Sequence, residues 1–174
     1  MSVDPMKFVR HLPILGTGVA FALYTAATAR YPGGTDWSPD TVGHRWAENF
    51  VCAVLKTEAL NGTENAARPL GLSALVVLCT SVGAVFFMIS RSTSSRALRS
   101  TIEIAGIGTA VYSVLVPTPI HDLMVTLGLA FGAVAFGAVL RLLSRERRPG
   151  LLAGGIVLIA IQVFIAVGYY GHVR

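Results

Sequence analysis

Long apolar runs, separated by short polar or Gly/Pro-rich breaks, set the rhythm of the chain. Five stand out: Leu12–Ala29, Leu70–Ser90, Ile102–Val116, Ile120–Leu143 and Leu151–Tyr170. Most approach the roughly 20 residues that a helix needs to cross a hydrocarbon core. Backbone groups in lipid must bond within their own segment, so helices are expected and not strands. The third run is the shortest and is expected to tilt little or to begin among headgroups. The first follows Lys7 and Arg10 and has the outline of a signal peptide, but its length and the weak cleavage site near Ala27 favour a retained helix. The pattern predicts an all-α polytopic membrane protein, a bundle of five transmembrane helices forming one domain over 1–174.

One long connection, Arg30–Pro69, breaks this rhythm. It opens with "RYPGGTDWSP" and closes with "NGTENAARP", both rich in turn formers. Between them Trp46, Ala47, Phe50, Val51, Val54 and Leu55 recur at i, i+1, i+4, i+5. That spacing predicts an amphipathic helix within 31–69, lying at the outer membrane interface. His44, Arg45, Glu48, Asn49, Cys52 and Lys56 fall on its other half.

Composition sharpens the membrane reading. Of 174 residues, 53% are hydrophobic and 13% charged, against about 25% charged in a soluble domain. The net charge of +5 is read as a signal of orientation, with no nucleic-acid partner expected. Nine Lys and Arg residues (Lys7, Arg10, Arg91, Arg96, Arg99, Arg141, Arg145, Arg147, Arg148) fall on one side and five (Arg30, Arg45, Lys56, Arg68, Arg174) on the other. The positive-inside rule then places the N-terminus in the cytoplasm and the C-terminus outside. Frequent Ala, Gly, Val and Arg point to a bacterial chain, hence to the inner (cytoplasmic) membrane. Cys52 and Cys79 have no ligand spacing, Cys79 lies in an apolar run, and pairing between the two is left open.

This topology brings His44, His121 and His172 to the outer face, with Asp122 beside His121. His44 and Glu48 are four residues apart and share one side of the expected helix. With His121 as a third ligand they form a candidate site for a divalent metal such as zinc, which would acidify a bound water or polarise an ester carbonyl. The ordinary alternative pairs Glu48 with Arg45 and leaves His44 at the interface. The ligand-binding candidates are His44, Glu48, Asn49, His121, Asp122 and His172; catalytic residues are not assigned.

Several polar positions have structural explanations. In "VPTPIHDLMV" Pro119 is expected to open the fourth helix with Thr118 as N-cap, and Asp122 to offset the helix dipole. Gln162 lies mid-membrane and is expected to face the bundle. Tyr112 and Ser113 are placed near the outer cavity, and Glu103 is read as compensating the third helix's dipole. Gly128 and Gly132 permit close packing, within the chain or in a dimer. Asn61-Gly62 is read as a turn. Neither a Ser-His-Asp order, a phosphate-cradling loop, a dinucleotide fingerprint nor a heme-attachment motif is present.

Tyr31, Pro32, Gly33 and Gly34, then Asn49, Phe50 and Cys52, then Asn61, Gly62 and Asn65, and finally Pro117 and His121 carry a resemblance. In "YPGGT", "ENFVC", "LNGTEN" and "VPTPIHD" the chain resembles a bacterial integral membrane protein family of unknown function, loosely Frag1/DRAM-like. The resemblance implies a helical bundle with its shared residues on one face, and brings no substrate. Its pattern places an Asp where this chain has Ala53, which weakens a catalytic reading.

The sequence therefore favours a noncatalytic membrane protein with an outward polar site for a lipid or small ligand, or a subunit of a membrane assembly. Membrane lipids, a second copy or another membrane protein are the expected partners. A metal-dependent membrane hydrolase or lipid-modifying enzyme comes second. A small-molecule transporter comes third, because internal repeats and paired broken helices are not seen.

Overall fold

The computed structural model describes residues 11–172, with only the backbone of Tyr169, Tyr170 and His172. Lys7, Arg10, Arg174 and the His172 side chain lie outside the described residues. The chain is all-helical, with α1 (Leu12–Thr28), α2 (Arg68–Ser90), α3 (Arg96–Val114), α4 (His121–Arg145) and α5 (Pro149–His172). Among the described residues there is no strand, only two isolated bridges, Gly33 with Val42 and Glu58 with Glu64.

Local chemistry marks the start of three helices. Prolines in the first turn, Pro13 and Pro69, open α1 and α2, where a missing N–H costs nothing. Ser95 caps α3 by accepting a hydrogen bond from the Leu98 N–H at 3.5 Å. This cap starts α3 six residues before the apolar run, so its first two turns carry Arg96, Arg99 and Glu103. Helix α4 begins at His121 with Ile120 as its N-cap, not at Pro119 behind Thr118. The Thr118 hydroxyl is buried and meets no partner among the described residues. Asp122 does sit in the first turn of α4, as expected.

Contacts run in chain order: α1 packs on α2, α2 on α3, α3 on α4, and α4 more thinly on α5. The helices thus form a row, joined alternately at a capped end and a basic end. One core cluster joins α2, α3 and α4 through Phe86, Leu98, Ile102, Ala105, Ala135 and Leu142. Gly106 lets the Phe86 ring lie against the α3 backbone, a place that a Cβ would fill. Gly128 and Gly132 are buried against Ser113 and Thr109 of α3. Their close packing is therefore within the chain. Glu103 accepts hydrogen bonds from Arg91 Nη2 and the Ser90 hydroxyl, both at 3.3 Å, so it neutralises the loop before α3.

Three helices, α2, α4 and α5, are long and apolar enough to cross a membrane. Apolar side chains face outward on all of them and on α1, with Ile14 72% and Phe164 80% exposed. A surface of this kind is compatible with a membrane protein and is costly in water. Gln162 is exposed on α5 and does not face into the bundle. It shares a heptad stripe with half-buried Leu152, Gly155, Ile159 and Ala166. The stripe is covered where Leu140 meets Gly155 and uncovered at Gln162.

Candidate functional site

Residues 29–67 fold into a cap over the ends of α1 and α2. The cap has its own core: Ala27, Tyr31, Ala53, Val54, Leu55, Ala59 and Ala67 are buried together. The amphipathic helix expected here is absent, and only a five-residue 3-10 turn, Val51–Leu55, forms. Burial explains the difference. Ala53, Val54 and Leu55 are buried in succession while Trp46 and Val51 face outward, which is not the stripe of one helix face. Asparagine side chains also take the backbone partners that a helix would have used. Asn49 Nδ2 donates to the Gly34 carbonyl at 2.8 Å, and its Oδ1 accepts from the Arg45 N–H at 2.8 Å. Asn65 Nδ2 donates to the carbonyls of Ala53 (3.2 Å) and Lys56 (2.9 Å), and its Oδ1 accepts from the Ala67 N–H at 3.1 Å. The Tyr31 hydroxyl accepts from the Leu60 N–H at 3.0 Å. Asn61-Gly62 is the turn expected: Gly62 has φ 80° and its N–H donates to the Ala59 carbonyl at 2.9 Å.

The candidate residues divide between the interior of this cap and its edge. His44 lies among three aromatic rings, 6.3 Å from Tyr24, 5.7 Å from Tyr31 and 5.2 Å from Trp46 between centroids, all edge-on. Both of its ring nitrogens are buried without a hydrogen-bond partner. Burial lowers its pKa below the ordinary 6.5. Asn49 is a cap fastener. Glu48 bonds the Arg45 carbonyl through its own N–H at 3.0 Å and forms no ion pair with Arg45. Asp122 is exposed on α4. His121 Nδ1 donates to the Val116 carbonyl at 2.8 Å, which holds the ring against the α3–α4 loop. Among the described residues no three His, Cys, Asp or Glu side chains gather to hold a metal ion. His44, Glu48 and His121 do not form such a group.

A different set converges instead. A cavity of about 480 Å³ opens between the cap, the start of α2 and the α3–α4 loop. Its walls include Cys52, Lys56, Arg68, Thr118 and His121, backed by Leu55 and Pro117. Arg68 is held in place by its Nε, which donates to the Leu55 carbonyl at 3.2 Å. Burial raises the Cys52 pKa, so the thiol stays protonated and is a poor metal ligand or nucleophile. Cys52 and Cys79 are both free, with no disulfide between them. Tyr112 lines a separate groove with Phe131. The sequence marked Lys56 and Arg68 only as outer charges. A chain reversal through Asn61-Gly62, closed by the Glu58–Glu64 bridge, brings them to one cavity.

No family model, curated protein or solved structure matches the chain.

The His44 environment makes the cap sensitive to acid. An unfolded histidine takes its proton near 6.5, whereas the caged ring resists it. Below that pH the unfolded state binds more protons, so stability is full above 6.5 and falls as the pH drops toward the lowered folded value. Wild-type protein should lose thermal stability as the pH falls below about 6.5. His44→Phe, which keeps the ring contacts and removes the titration, should flatten that loss in a pH series of unfolding curves.

Proposed function

We propose that the chain is a noncatalytic, five-span membrane protein whose outward cavity holds the anionic group of a lipid or small ligand. Two helices fall outside the long apolar set. Helix α1 has 17 residues, about 25 Å at 1.5 Å per residue, near the thickness of a hydrocarbon core. Helix α3 packs between α2 and α4, so if those two cross the membrane, α3 lies at the same depth. The excess of Arg and Lys at the basic end favours a cytoplasmic basic end and an outward cap. A bacterial inner membrane and the Frag1/DRAM-like resemblance belong with this reading.

The observation that carries the binding role is the donor set of the cavity. Lys56, Arg68 and His121 meet there, beside the unpartnered Thr118 hydroxyl. Guanidinium and ammonium groups donate hydrogen bonds and accept none, so they fit a carboxylate or phosphate. Two fixed positive charges beside His121 work against a divalent cation, which places the metal-hydrolase reading second.

Titrating purified protein with inorganic phosphate and with a short-chain phosphatidic acid tests this, with thermal unfolding as the readout. The wild type should be stabilised, and Lys56→Gln should weaken the apparent affinity about tenfold, the loss of one charge-assisted bond. Lys56 is exposed, so the variant should fold normally. Absence of stabilisation by either anion, or an unchanged affinity in Lys56→Gln, rejects the proposal.

A further inference from the structure

The basic end carries a second feature that the outward cavity does not use. A groove of about 920 Å³ runs along α3 and is walled by Phe131 of α4. Its floor and rim follow one face of α3 from Arg96 to Val111, roughly 22 Å at 1.5 Å per residue. A smaller apolar cavity continues it across Ile104 and Phe131 to Val134. The middle of the groove is apolar and open: Ile104 is 64% exposed, and Ile107 and Val111 are also exposed. Gly108 lets the Phe131 ring close on α3 as the wall of the groove, because a Cβ there would run into the ring.

The mouth has the opposite character. Arg96 is exposed with no ion pair or hydrogen bond from its side chain among the described residues. Arg99 donates from Nη2 to the Thr93 carbonyl at 3.2 Å, while its buried Nε has no partner. The first turn of α3 holds no acidic residue, so nothing there offsets the positive end of the helix dipole that Arg96 and Arg99 share. Glu103 lines the groove, but Arg91 and Ser90 already engage its two oxygens. The mouth is thus a concentration of positive charge, and an apolar trough from Ile104 to Val111, roughly 10 Å at 1.5 Å per residue, leads away from it.

We propose that this groove is a binding site for an anionic phospholipid, with the phosphate between Arg96 and Arg99 and one acyl chain along Ile104, Ile107 and Val111. Charge complementarity selects the headgroup, and the apolar trough selects a molecule with a chain over a free anion. The site is separate from the outward cavity and rests on the membrane reading, since the chain must reach the groove from a bilayer.

The test uses the intact protein, extracted from membranes into neutral detergent. Phosphatidylglycerol and phosphatidylcholine with the same acyl chains are added in equal amounts, and retained lipid is counted by native mass spectrometry. Phosphatidylglycerol should be retained about tenfold better, as two surface cations predict. Arg96→Gln combined with Arg99→Gln should abolish the preference, and Arg96→Gln alone, at an exposed position, should reduce it. Lys56→Gln, at the other end, should leave it intact. Ile104→Trp, which fills the trough, should lower retention of both lipids, and excess glycerophosphate should not displace the bound lipid. Equal retention of the two lipids overturns the proposal. So does a preference that survives both arginine substitutions, or full displacement by glycerophosphate, which marks a free-anion site. Failure of the membrane reading shows separately, as release of the protein from membranes by alkaline carbonate before any lipid is counted.

Discussion

Asn65→Asp is expected to open the cap and to cost about 3 kcal/mol of stability, the sum of a lost donor and a buried charge facing carbonyl oxygens. The substitution keeps the shape of the side chain and the acceptor for the Ala67 N–H. It replaces an amide that donates to Ala53 at 3.2 Å and to Lys56 at 2.9 Å with an oxygen that repels both. Asn65 is only 4% exposed, so water cannot take over these contacts. The effect should reach the cavity beneath the cap, because the Lys56 carbonyl and the Leu55 carbonyl that anchors Arg68 lie on the segment Asn65 holds. Limited proteolysis between residues 45 and 67, followed alongside helix content by circular dichroism, separates a loosened cap from a disrupted row of helices. Acid provides a second check. A protonated Asp regains one donor, so the variant should recover stability relative to Asn65→Ala as the pH falls. A variant as stable and as protease-resistant as wild type would show that Asn65 does not hold the cap.

Gly34→Ala should cost about 2–4 kcal/mol, more than an ordinary surface substitution. Gly34 has φ 87°, where a side chain is strained, and its Cβ would run into the backbone of Leu60 and Asn61. Its carbonyl accepts from Asn49 and its N–H donates to the Thr41 carbonyl at 2.9 Å. The Asn61 N–H also donates to the Gly33 carbonyl at 3.3 Å, so the 60–61 segment cannot retreat from Gly34 without losing that bond. Gly43→Ala offers a matched control. Gly43 also has a positive φ, 71°, but open space where its Cβ would go. Thermal unfolding should therefore show a smaller loss for Gly43→Ala than for Gly34→Ala. Equal losses would assign the whole effect to φ and remove the role given to the close approach.

The helices were legible in the sequence because apolar surface on every side of a helix is written as an unbroken run. Leu12–Ala29 and Leu70–Ser90 match α1 and α2 within two residues at each end. The start of α3 was less visible: hydropathy ignores the two polar turns that Ser95 nucleates, and the run seemed to begin at Ile102. Cap residues 44–56 show a different limit. Their apolar spacing fits a helix face, yet amides from Asn49 and Asn65, the latter nine or more residues from its carbonyl partners, set the backbone path. Contacts of that range leave no periodic trace. For the same reason topology alone places His121, Lys56 and Arg68 at the same end, while their meeting in one cavity leaves no sign in the sequence. Gln162 was assigned to the interior on the cost of an amide in hydrocarbon, an argument that does not see how thinly α5 is attached.

The chain-order packing of the helices also bears on biogenesis. Each helix packs on the one made just before it, α2 on α1, α3 on α2 and α4 on α3. Such pairings close over short sequence separations, so they form early and quickly. The chain can assemble as it emerges, with every new hairpin docking onto a finished one. Helix α5 emerges after these four, docks most thinly, and is the element whose loss the rest of the row would feel least.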